Sequence, residues 1–224
     1  MLTEKLLFLH FFKFTMRLLA SVLFILMFSS CASTYKSLKP SSSYFGNAEE
    51  VNGVKFSYKQ GVLAETRNKK YAKREISKAV KVVSVKIVNN SDKNLVIGQN
   101  TKFYTGNSEL RLIEPNTIHQ QLKQGVPIYL LYLLLSPTQL TTGSSTINNN
   151  GTITSASTTP IGLILGPGIA IGNMAVAGTA NQNFLRELNE FNLINKTIAP
   201  GQTVFGLIGI NDIGYNPVRL VVSD

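Results

Sequence analysis

The most reactive side chain in the sequence is its one thiol, Cys31. A thiolate is a nucleophile, a metal ligand and a disulfide partner. A single copy excludes an internal disulfide framework and any multi-cysteine metal site. Other catalytic chemistry has little to draw on. Beyond the first thirty residues the only imidazole is His119, and a metal site needs three or four protein ligands. Serines are abundant but lie in Ser/Thr/Asn-rich stretches, with no strand-turn-helix setting that would expose a nucleophile. The run Gly162-Leu163-Ile164-Leu165-Gly166-Pro167-Gly168 lacks the Lys and the Ser/Thr of a phosphate loop. The pair Glu49-Glu50 reads as solvated. The sequence therefore offers no catalytic residue, no metal site and no cofactor, and a non-enzymatic role is expected.

Two further features are chemical. Residues 55–93 hold eleven Lys/Arg against three acids, a net +8. Arg67, Lys69, Lys70, Lys73 and Arg74 form the centre of this cluster and are candidates for contact with an anionic surface such as lipid headgroups. The second feature is the opposite: residues 124–185, 62 in all, contain no Asp, Glu, Lys, Arg or His. Two apolar arms, 126–135 and 161–178, flank a polar stretch there. Gly162/Gly166 and Gly168/Gly172 repeat at four-residue spacing, which lets helices approach closely. The segment reads as a hairpin that dips into a membrane or packs on a neighbour. The first arm has only about ten apolar residues, and Pro167 and Asn173 interrupt the second, so neither is a plain membrane span of about 20 residues.

These residues need elements to position them. The chain has 224 residues, is 44% hydrophobic and 15% charged, and carries a formal net charge of +10. That is enough apolar content for a packed core. Met16-Arg17 opens a basic start, and 18–28 form an eleven-residue apolar run followed by Ser29-Ser30. A basic start, a short apolar run and small residues before a cut site describe a secretory leader. Translation is expected to begin at Met16. Phe28-Ser29-Ser30-Cys31 resembles the lipobox of bacterial lipoproteins of the signal peptidase II type, and the leader looks like those of Bacteroidota. The resemblance implies cleavage before Cys31 and acylation of its thiol and amine. Several acyl chains give a lasting anchor where one is marginal. Ala32-Ser33-Thr34-Tyr35-Lys36-Ser37 carry no retention Asp and no acidic export run, so the resemblance implies an outer-membrane protein facing the periplasm.

Residues 31–52 are expected to form the lipidated start and a flexible, Ser-rich tether. From residue 53 the pattern turns β-like. Residues 54–58 alternate; in 80–88, Val83, Val85 and Ile87 share one face and Val82, Ser84 and Lys86 the other. Short strands are also expected at 95–97, 102–104, 109–113, 204–210 and 218–222. Pro115 suits the first turn of a helix reaching 123. Residues 138–160 read as a long loop and 181–193 as a helix with Phe184, Leu188 and Phe191 on one face and Arg186, Glu187 and Glu190 elsewhere. Residues 115–193 are thus expected as a helical hairpin inserted into a mainly β domain covering 53–224.

The Val-x-Val-x-Ile-x-Asn-x-Ser run at 83–91 and the late Pro200-Gly201-Gln202-Thr203 resemble immunoglobulin-like domains of secreted bacterial proteins. The resemblance implies an antiparallel immunoglobulin-like sandwich, α+β once the insertion is counted. The expected role is a lipid-anchored envelope module for binding or scaffolding. The alternative is a membrane-active or lipid-handling protein that uses residues 124–185. Expected partners are the membrane, through lipid on Cys31, and an envelope protein; nucleic acid is not expected.

Overall fold

The structure is a computed structural model that describes residues 31–46, 48–148, 151–212 and 214–223, with the backbone alone described at 144–156. The leader expected over 1–30 lies outside the described residues. The chain forms two compact units: Ser33–Gln124 with Ala177–Asp224, and Gly125–Val176 with Cys31 and Ala32. In chain order the strands are β1 Glu49–Val51, β2 Val54–Lys59, β3 Val80–Asn89, β4 Leu95–Val96, β5 Thr101–Thr105, β6 Ser108–Leu110, β7 Leu112–Ile113, β8 Leu140–Asn148, β9 Gly151–Thr159, β10 Thr197–Ile198, β11 Thr203–Asn211 and β12 Arg219–Val222. The α-helices are α1 Val62–Glu65, α2 Lys69–Lys78, α3 Pro115–Leu122 and α4 Gly162–Glu190, and 3-10 turns cover Pro40–Ser42 and Pro127–Leu135.

In the larger unit the β-branched run of β3 makes it the central strand. Its partners give an antiparallel sheet in the order β1-β2-β3-β11-β7, with Val83 opposite Ile208 and Val85 opposite Gly206. Strand alternation sends β3 side chains to two faces. Val83, Val85 and Ile87 join Phe56, Phe103, Leu193, Ile198 and Leu220 in one core, which draws on the small sheets β12-β5-β6 and β10-β4. Val80 and Val82 join Leu63, Tyr71, Ile118, Leu122, Phe184 and Leu188 in a second core, built with helices. The expected face assignment of β3 is what is observed, and the unit is a mixed α+β fold of antiparallel sheets and helices.

The second core contains an element that the β-like reading missed. Residues 69–78, in the centre of the basic stretch, are helical, so the cluster is not a strand region. Tyr71 and Glu75 are one turn apart and form the buried face of α2. Asn68 stands at its N-cap position, yet its side chain is used elsewhere, as described below.

Glu75 is an unusual buried acid. Its Oε1 accepts the Val82 backbone N–H at 2.7 Å. Burial pushes its carboxyl up to about 7, against the opposing effects of that hydrogen bond and of Lys81. The folded chain therefore binds more protons than the unfolded chain between the ordinary value of 4.5 and about 7. The stability it contributes is full below that window and is lost as pH rises through it. Glu75→Gln keeps an acceptor for Val82 and removes the titration. Melting curves from pH 4.5 to 8 should flatten for this variant, with a gain of roughly 1–2 kcal/mol above pH 7.

The smaller unit differs from the expected helical hairpin. Residues 138–160 are not a loop: β8 and β9 pair antiparallel from Leu140 opposite Thr159 to Asn148 opposite Gly151. The first apolar arm is a 3-10 helix, Pro127–Leu135. The second arm is the start of α4, a 29-residue helix with mean hydropathy 1.5 in its most apolar window. By length and composition α4 is the one helix among the described residues that could cross a membrane. Its C-terminal part does other work. Ala177, Ala180, Asn181, Phe184, Glu187 and Leu188 are buried in the larger unit. The exposed apolar part, 162–176, is then only about 22 Å long, short of a bilayer core of about 30 Å.

Candidate functional site

Cys31 belongs to the smaller unit and is exposed. Its Sγ lies 3.9 Å from the hydroxyl of Tyr132, and the next backbone N–H, of Ala32, donates to Asn173 Oδ1 at 2.6 Å. Three residues per turn put Tyr129 and Tyr132 on the same side of the 3-10 helix, and both are buried. The leucines between them are left outside: Leu130, Leu131, Leu133 and Leu134 are exposed, as is Ile128. On α4 the same holds for Leu163, Leu165, Ile171 and Ile164, the last at 78% exposure. Of the fifteen exposed large apolar or aromatic side chains among the described residues, eleven lie between 128 and 176. A soluble monomer rarely keeps such a patch bare.

The glycines divide into two pairs. A Cβ on Gly162 would overlap the Leu135 carbonyl oxygen, and one on Gly166 would come within 2.9 Å of Ser136 Oγ. These two let α4 lie directly on the end of the 3-10 helix. Gly168 and Gly172 face open space, so the expected close packing does not extend to them.

The segment after Cys31 is not a free tether, at least over residues 33–40. Three buried polar side chains of the larger unit hold it. Gln124, 2% exposed, accepts from the Ser33 N–H at 3.2 Å and donates to the Ser33 carbonyl at 2.7 Å. Asn68, also 2% exposed, does the same for Lys36 at 2.9 and 2.7 Å. Each amide thus replaces one residue of a pairing strand. Glu187, 5% exposed, was expected to point away from the apolar face and does not. Its Oε1 accepts from Ser37 Oγ at 2.6 Å, Leu38 N at 2.9 Å and Lys39 N at 3.0 Å. Its Oε2 accepts from the Tyr35 hydroxyl at 2.5 Å and from Leu38 N at 3.1 Å. Burial first, and the neighbouring Glu187 second, hold the Tyr35 hydroxyl far above its ordinary titration range. The Gln124 clamp is braced in turn: Asn181 accepts from Gln124 N at 2.8 Å and from Tyr71 OH at 3.0 Å, and donates to the Gln124 carbonyl at 2.9 Å. Leu38 and Pro40 are buried at the end of the segment.

Arg67 and the basic residues of α2 are placed differently from the expectation but do share a surface. A 3.6-residue period puts Lys69, Lys73, Lys70 and Arg74 within one arc, opposite Tyr71 and Glu75. Ile76, exposed, borders that arc. Arg67 precedes the helix with φ at 62°. His119, half-buried on α3, has its imidazole held below its ordinary range by burial and by Lys123. Among the described residues no three His, Cys, Asp or Glu side chains converge on a common point.

The clamps were missed in the sequence because Asn68, Gln124 and Glu187 are isolated polar residues, far from residues 33–39 in the chain. The one available signal was that Glu187 lies between Phe184 and Leu188, which flank it on the helix. Comparison with known protein families, with characterised proteins and with solved structures finds no match for this chain.

Proposed function

We propose that this chain is a non-catalytic lipoprotein of the outer membrane, facing the periplasm, that holds a binding module at the membrane surface. Acyl groups on Cys31 provide the anchor. The smaller unit lies in the apolar boundary of the same leaflet, and the larger unit is an immunoglobulin-like sandwich with inserted helices that meets an envelope partner. The observation that carries this reading is that Cys31 shares one compact unit with eleven of the exposed large apolar side chains.

The physical case is additive. Acyl chains on Cys31 would enter the hydrocarbon beside side chains that gain from leaving water, roughly 1.5–3 kcal/mol for each one fully buried. The unit has no Asp, Glu, Lys, Arg or His between 125 and 176 to oppose entry. The clamped segment of the larger unit begins at Ser33. The basic arc of α2 would suit anionic headgroups or an acidic partner.

Metabolic labelling with radioactive palmitate tests the anchor. The chain should label, and Cys31→Ala should abolish the label and the stable retention in membranes. A Cys31→Ala protein that still labels contradicts the reading.

A further inference from the structure

We propose that the larger unit docks on the leaflet that holds the acyl chains, through a patch of Lys36, Arg67, Lys69 and Lys73 that takes the phosphates of anionic phospholipid headgroups. The choice of lipid over an acidic protein rests on acylation of Cys31.

Two stretches of chain build the patch. Asn68 stands at the N-cap position of α2, yet its side chain does not cap the helix. It holds Lys36 instead: its Oδ1 accepts from the Lys36 N–H at 2.9 Å, and its Nδ2 donates to the Lys36 carbonyl at 2.7 Å. The backbone of a cationic residue from the segment after Cys31 is thereby fixed to the start of α2. Lys36 is exposed, as are Arg67 and Lys69 on either side of Asn68 and Lys73 one turn further on.

These cations stand where a helix by itself resists them. Lys69 and Lys70 open the first turn, which has no acid, against the positive end of the helix dipole. Lys69 and Lys73 are four residues apart, as are Lys70 and Arg74, a spacing at which like charges repel. The acids of the same region are engaged elsewhere. Glu65 pairs with Lys59 at 3.2 Å. Glu75 and Glu187 are buried, and both accept backbone N–H groups. Among the described residues no ion pair offsets the charge of Arg67, Lys69 or Lys73. A layer of phosphates does.

Chain length selects the occupant. Lys36 follows Cys31 by five residues, and five residues span at most about 18 Å. Acyl chains in the hydrocarbon hold Cys31 at its edge, beneath a headgroup layer about 5–8 Å thick. The headgroups are thus within reach of Lys36 at a high effective concentration, whereas an acidic protein must arrive by diffusion. Lysine is a point charge with no demand for a fixed fork geometry, which suits laterally mobile phosphates. Ile76, 73% exposed, borders the cations on α2, and an apolar side chain beside basic ones is the composition of helices that lie in a membrane interface.

The test is sedimentation of the chain from Ala32 onward with vesicles of phosphatidylcholine alone and with phosphatidylglycerol added, beside titration with a decaglutamate peptide. At low salt the chain should prefer the anionic vesicles by about a hundredfold. Lys36→Gln, Lys69→Gln and Lys73→Gln together should lower that preference below about tenfold. Lys55→Gln, Arg111→Gln and Lys196→Gln, which remove the same charge at exposed positions outside the patch, should leave it within about threefold of the parent. All six side chains are exposed, so melting should be unchanged in both variants. Equal affinity of the parent for the two kinds of vesicle overturns the proposal, as do equal losses in the two variants. Saturable binding of decaglutamate without a preference for anionic vesicles overturns it in favour of an acidic protein. Failure of the anchor is read separately, by the palmitate label, which does not depend on the patch.

Discussion

Glu187→Ala is expected to release residues 33–40 and to lower the stability of the larger unit by about 3–5 kcal/mol. The carboxylate accepts from two hydroxyls and two backbone N–H groups, of Tyr35, Ser37, Leu38 and Lys39. Removing it takes the acceptor from the buried Leu38 N–H and from three part-buried donors, and a buried donor left unmet costs about 1–3 kcal/mol. Part of the loss is recovered as water reaches the loosened segment, which is why the expected total is below the sum. Glu187→Gln should recover only part of the stability, because its NH₂ group meets donors where an oxygen stood. Urea denaturation gives the magnitude, and hydrogen exchange at the Leu38 and Lys39 amides gives the location. Glu190→Ala, an exposed change on the same helix, should stay within about 0.5 kcal/mol. Equal, small effects at both positions would remove the clamp from the account.

The second large effect concerns the apolar arms. Leu131→Lys, Leu134→Lys and Ile164→Lys together should reduce binding to neutral phospholipid vesicles at least a hundredfold. This is measured on the chain from Ala32 onward, which keeps both units and lacks the thiol. All three side chains are exposed, Leu134 at 72%, so the folded unit should tolerate the change. The arithmetic follows from apolar burial: losing three insertions removes several kcal/mol, and each 1.4 kcal/mol is tenfold. Substituting Lys73 and Arg74 with Ala should leave binding to neutral vesicles unchanged, since their contribution requires anionic lipid. A triple variant that binds within threefold of the parent would mean that the arms meet protein rather than membrane.

How far the sequence reveals this architecture depends on the element. Strand β3 is legible because Val83, Val85 and Ile87 alternate with side chains of the other face, and a period of two has one structural meaning. Pro115 is legible as a helix start and is the first residue of α3. Helix α2 is not, because six of its ten residues are Lys, Arg or Glu and its buried face rests on Tyr71 and Glu75 alone. The ribbon β8–β9 is hidden for a different reason: its Ser, Thr and Gly residues show no apolar alternation, and its pairing lies in the backbone. Cys31 and the uncharged segment are legible as composition. The clamps on residues 33–40 are not, since Gln124 and Glu187 stand 91 and 150 residues from their partners Ser33 and Ser37. A lone polar residue in an amphipathic helix reads as solvent-facing until its partner is placed. The same holds for Gln60 and Asn216, which meet only through the fold.

The central claim is that lipid on Cys31 and the apolar arms enter one bilayer. The chain contains no Trp, so Ile164→Trp introduces a unique fluorophore on the exposed face of α4. Emission of this variant, lipidated and reconstituted into vesicles with brominated phospholipid, is the most direct measurement. The account predicts a blue-shifted spectrum that the brominated chains quench strongly. A spectrum typical of water, unquenched by those lipids, would contradict it.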